Sequence, residues 1–253
     1  MTKKEEIAVA AEKAVQTAVP VTAPLVQVEA SDMVIPFIKV IQSLAEEVTP
    51  GKDKYNADVR PGDIYDSVTR TIFKDARVII CGLQKYFAEW TPEVRGTLVG
   101  KHLPDSDIVK NALKVKHTGA NGKDYFTLQT SAGNDLIETY GLLLYVRDGA
   151  TGIDIPAMMT LAKTSFMVGK TLQTTLAIQQ RHGVPVFRMD TTNTSNTKGS
   201  WFKPNFIPDG FEKDMEIITA CQSLSAHAKE ILLRSTGESE AETETETTED
   251  DLV

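Results

Sequence analysis

Only two cysteines occur in 253 residues, Cys81 and Cys221, too few for a disulfide framework. With no charged-then-apolar leader at the N-terminus, they read as reduced thiols of a cytosolic protein, or of the host cytoplasm if the protein is viral. No apolar run approaches the ~18–20 residues of a membrane helix, so no membrane partner is expected. Aromatics are scarce at 7% of the chain, and residues 1–30 contain none. That stretch, broken by Pro20 and Pro24, reads as a flexible N-terminal arm. Residues 236–253 lack any Lys or Arg but hold eight acids. Since the whole chain has 35 acids and 27 bases, residues 1–235 carry 27 of each. The net charge of -8 is therefore a property of the last eighteen positions, which read as a disordered acidic tail. A neutral body can still present a basic groove.

Enzyme signatures are equally sparse. Gly169-Lys170-Thr171 ends like a phosphate loop, but Thr164 occupies the position where that motif needs glycine. His102, His117, His182 and His227 are too scattered for a helical metal pair, and neither cysteine has a neighbouring cysteine. No Gly-x-Ser-x-Gly elbow appears. Asp63, Asp66 and Asp75 are read as solvated turn acids rather than metal ligands. The expectation is a non-enzymatic protein with no catalytic residue, no metal and no cofactor.

What is present is β-type patterning over residues 31–235, read as one domain. Turn pairs such as Pro61-Gly62, Asn121-Gly122 and Gly133-Asn134 punctuate β-prone runs at 63–68, 76–90, 97–102, 125–130, 136–147 and 153–161. Asn121-Gly122 is expected to turn a hairpin between 113–117 and 125–130. Phe37, Ile38, Ile41, Leu44 and Ala45 predict a short amphipathic helix, and residues 164–180 and 211–235 predict two longer ones. Residues 184–190 and 201–206 predict strands, with a polar loop over 191–199. The fold class is mainly β with flanking helices (α+β), built around a small barrel or sandwich.

Several strands interleave bases with aromatics. Lys85, Tyr86 and Trp90 form one group, continued by Arg95 and Lys101. Tyr125 belongs to a second, and Lys198, Trp201 and Lys203 to a third. Single-stranded nucleic acid is bound by this pairing of groups, with bases stacking on flat side chains and cations meeting phosphates. Lys170 and Arg181 add candidate phosphate contacts. Trp201, bracketed by Lys198 and Lys203, is the aromatic most expected to face a ligand. The tail, ending Asp250-Asp251-Leu252-Val253, combines acids that mimic nucleic acid with an apolar tip for partner proteins.

The stretches Ile35-Pro36-Phe37-Ile38-Lys39-Val40-Ile41-Gln42-Ser43-Leu44, Arg60-Pro61-Gly62-Asp63-Ile64-Tyr65 and Lys198-Gly199-Ser200-Trp201-Phe202 resemble segments of bacteriophage-type single-stranded DNA-binding proteins. The resemblance implies an OB-fold, a small barrel that binds strands across one face, here elaborated because the strands exceed five. It also implies a role in coating single-stranded DNA during phage replication or recombination, with replication or recombination proteins reading the tail. Val253 stands where such tails often end in Phe. A phage structural or assembly protein with a β-rich core is the alternative, and self-association is left open.

Overall fold

A computed structural model describes residues 35–234 except 94–95, 119–121, 123 and 197–198. Its spine is two long antiparallel strands, β4 (Ala76–Trp90) and β8 (Asp135–Asp148), paired from Ala76–Asp148 to Trp90–Asp135. The sequence of this spine explains its position. Val78 and Ile80 face one side, Ile79 and Cys81 the other, and Leu142 to Val146 are buried without a break. Such unalternating apolar strands are stable only when both faces are covered.

Different neighbours flank the two halves of the spine. At one end β10 (Pro185–Asn196) pairs with β4, and β9 (Ile153–Ala162) with β8. At the other end β5 (Leu98–His102) pairs with β4, and β7 (Asp124–Gln129) with β8, followed by β6 (Leu113–Thr118). β11 (Gly199–Phe211) closes the β10 side as a long hairpin. The strands β1 (Ile38–Val40), β2 (Ile64–Asp66) and β3 (Ile72–Phe73) form a small antiparallel sheet. It joins β9 through a parallel bridge between Phe37 and Met158.

Helices cover both faces. A short helix α1 (Asp107–Lys110) precedes β6. α2 (Phe166–Gln179) and the small sheet bury Val78, Ile80, Leu142 and Leu144 with Leu172, Leu176, Ile38 and Phe73. α3 (Met215–Arg234) seals the opposite face with Ile217, Ala220, Cys221, Leu224, Ala228 and Leu232, at the three- and four-residue steps of a helix stripe. Asp214 caps it, its carboxylate accepting from the Glu216 amide at 2.9 Å. At the other end Lys101 donates to the Leu232 carbonyl at 3.1 Å, a cation where the helix dipole is negative. The close seat of α3 depends on Gly82, where a Cβ would lie 2.3 Å from the Ala228 Cβ.

The mainly β, α+β class is as expected, but among the described residues the strands form no closed barrel. β1 and β11 are not paired as strands; just after β1 the Gln42 side chain donates to the Phe202 carbonyl and accepts from the Phe202 amide, both at 2.9 Å. The helix expected around residues 37–45 is instead β1, a turn, and a 3-10 turn at Glu46–Val48. Phe37 to Ile41 are all buried, which one helix stripe could not achieve, and the burial of Lys39 is offset by an ion pair with Glu47 at 2.8 Å. The polar loop expected over 191–199 is strand as far as Asn196, paired from Thr191–Pro204 to Asn196–Gly199. Asp66, expected to be solvated, is buried and accepts from the Val68 amide and the Thr69 hydroxyl. No helix among the described residues is long and apolar enough to cross a membrane.

Candidate nucleic-acid interface

The β10–β11 hairpin extends well past the three β4 residues that anchor it, Arg77 to Ile79. The projecting part is an arm with two unlike faces. Phe187, Met189 and Phe206 point into the core, and Phe202 packs over Gly62. Alternation therefore puts Arg188, Asp190, Thr192 and Thr194 of β10 on the outward face with Trp201, Lys203, Asn205 and Ile207 of β11. Lys203 Nζ lies 5.4 Å from the centroid of the Trp201 ring. The indole N–H is buried without a hydrogen-bond partner among the described residues, and the residue as a whole is half-buried.

At the base of this face three arginines stand side by side on adjacent strands. Arg188 of β10 is opposite Arg77 of β4, and Arg77 is opposite Arg147 of β8. Like charges directly opposite repel. Asp209 offsets Arg77 at 3.1 Å, while Glu212 at 2.9 Å and Asp154 at 3.6 Å offset Arg147. Burial raises the Asp154 carboxyl above its usual range, against the opposing pull of Tyr145 and Arg147. Arg188 and Lys203 have no ion-pair partner among the described residues and are the arm's free cations. Sequence inspection missed this row because register alone brings Arg77, Arg147 and Arg188 together.

The other expected contacts divide. Trp201 and Lys203 share the arm, as their spacing suggested. Tyr86 and Trp90 do not belong to a ligand face: they are 0% and 5% exposed and pack with Ala88, Leu98 and Leu233. The end of α3 and β5 cover that side of β4, and Lys101 lies against the Tyr86 ring at 5.1 Å while capping α3. Lys85 pairs with Glu138 and lies 5.8 Å from the Phe166 ring. Lys170 and Arg181 are exposed on and just beyond α2, apart from the arm's outward face. Gly169 and Lys170 are helix interior, with Gly169 against the Tyr140 ring, so no phosphate loop forms there. Arg95, Lys198, Asp250, Asp251, Leu252 and Val253 lie outside the described residues, as do the arm 1–30 and the tail 236–253.

A second basic-aromatic patch occupies the β6–β7 hairpin. Tyr125 stacks on His117 with ring centroids 5.0 Å apart. On the other face Phe126 is 51% exposed, with Lys114 Nζ 4.3 Å from its ring. Near the spine's end, the buried Glu89 accepts from Asn134 at 2.7 Å and meets His102 Nε2 at 2.6 Å. Burial opposes ionisation of Glu89, but these two contacts outweigh it and hold the carboxyl below its usual range. No nucleophile completes that pair among its contacts, and no metal-binding cluster of His, Cys, Asp or Glu occurs among the described residues.

An open antiparallel sheet held between two helices, with a basic-aromatic hairpin arm, is the class of protein these observations define. The chain belongs to the family described as Pam3 phage gp34-like protein, which it matches over residues 8–231. The family points to a bacteriophage protein. No curated protein and no solved structure matches the chain.

Proposed function

We infer that this phage protein binds single-stranded DNA without reading its sequence, as a binding protein and not an enzyme. The observation that carries this reading is the outward face of the β10–β11 arm. It holds a tryptophan ring under a lysine near the tip and an unpaired arginine at the base. Thr194, opposite Trp201, is six positions along β10 from Arg188, which is about 20 Å of strand. A base stacked on Trp201 contributes about 1–3 kcal/mol, and Lys203 and Arg188, both on the side of Trp201 toward the arm's base, neutralise successive phosphates of the strand. Phe126 and Lys114 repeat the pairing on the β6–β7 hairpin.

In this reading the protein coats strands exposed during replication or recombination inside the host cell. The acidic tail competes for the same cations, and its apolar tip recruits replication or recombination proteins. Charge-neutralising variants test the assignment. Arg188→Ala and Lys203→Ala should each reduce the slope of log affinity against log salt by about 1 for an oligothymidine. Unchanged slopes in folded variants would remove the arm from the interface. Absence of any oligothymidine binding would leave the assembly role as the better reading.

A further inference from the structure

β4 is fifteen residues long, but on one side its neighbours cover only its ends. β10 pairs with Arg77 to Ile79 and β5 with Phe87 to Trp90. Along residues 80–83 no strand lies on that side among the described residues; beyond them the Lys85 carbonyl accepts from the Gln84 side chain at 2.7 Å. An open edge presents unpaired N–H and C=O groups, a template for another strand. Here the edge is the floor of a groove of about 620 Å³. α2 forms one wall with Leu176, Ala177 and Gln180, and α3 the other with Cys221, Gln222 and Ser225. None of the residues lining the groove is charged.

The groove fits an extended, uncharged segment whose alternate side chains face the two helices. The chain contains one outside the described residues. Residues 16–28 carry no charge and are rich in Val and Thr, and Leu25-Val26-Gln27-Val28 is β-prone. The acidic tail fits badly, because every second residue from Glu238 to Glu246 is Glu, and burying carboxylates in an uncharged groove is costly. Reach favours the same segment. Ile35 packs in the cluster of Ile79, Cys81 and Cys221, which also line the groove. Residues 29–34 span up to about 20 Å when extended, enough to round a helix about 10–12 Å wide. The family match begins at residue 8 and stops at 231, taking in this segment and leaving out the tail.

We propose that residues 25–28 of the protein's own N-terminal arm add as a strand to the open edge of β4, docked between α2 and α3. This contact does not rest on nucleic-acid binding. Hydrogen exchange in the full chain tests it. The amides of residues 80–83 that point to the open edge should exchange about tenfold or more slowly in the unaltered protein than in a Val26→Asp/Val28→Asp variant, with exchange in β8 unchanged. Ser225→Trp, which fills the groove from an exposed position, should speed the same amides. Equal rates in the unaltered protein and the Val26→Asp/Val28→Asp variant would overturn the proposal. So would protection that rises with protein concentration, because the arm would then come from a second copy.

Discussion

The contact between β4 and α3 is tightest at Gly82, and Gly82→Ala measures how firmly that helix is seated. Gly82 has no left-handed backbone angle, so within the folded state the substitution acts through space alone. Its new methyl would lie 2.3 Å from Ala228 Cβ and 3.5 Å from Leu143 Cβ. Carbon atoms prefer about 3.5–4.0 Å, so α3 must move by more than about 1 Å or the strand must bend. Overpacking of this kind costs about 1–3 kcal/mol, which for a domain of this size lowers Tm by roughly 3–10 °C. Ala228→Gly alone costs about 1 kcal/mol of helix propensity. In the Gly82→Ala/Ala228→Gly double variant the clash is gone, so the double variant should be more stable than the sum of the single changes by about 1 kcal/mol or more. Thermal denaturation followed by circular dichroism reads all four proteins. Additive effects, or a higher Tm for Gly82→Ala from reduced chain entropy in the unfolded state, would refute the close seating of α3.

Three further outcomes are expected. Trp201→Ala should weaken oligothymidine binding by about 1–3 kcal/mol in a protein of unchanged Tm, measured by fluorescence anisotropy of a labelled strand. Glu89 ionises more readily when folded than unfolded, so it stabilises the fold above its ordinary range. That contribution should fall away as pH drops through and below about 4, and Glu89→Gln should flatten that part of a Tm-against-pH profile. Deleting residues 236–253 should raise affinity for single strands, most at low salt, because the tethered acids no longer compete at high effective concentration. Equal affinities at low salt would mean that the tail does not compete.

The elements legible in the sequence were those whose pattern is local. The sequence delimits β4 at residues 76–90 because turn residues bound an uninterrupted β-prone run, and it marks α3 because the apolar stripe repeats through five turns. Residues 37–41 misled because a short run buried on both sides satisfies helical spacing as well as strand spacing. Residues 191–196 have no apolar residue, yet their Thr-rich run is held as strand by pairing with β11. The site divides in the same way. Trp201 and Lys203 are two apart on one strand, so their common face could be read directly. The inward direction of Tyr86 and Trp90 depends on where α3 and β5 pack, and the arginine row depends on the register of three strands. Neither is written in any single window of sequence.

Tryptophan fluorescence during titration with oligothymidine, at about 50 mM and 200 mM salt, reads strand contact at the arm and charge neutralisation together. Trp90 is buried and Trp201 lies on the arm, so quenching should come from Trp201 and should vanish in Trp201→Phe while the Trp90 signal stays constant. That quenching is expected together with a fall in affinity of about tenfold or more at the higher salt if the arm binds single strands. Binding that leaves Trp201 fluorescence unchanged, or an affinity indifferent to salt, would contradict it.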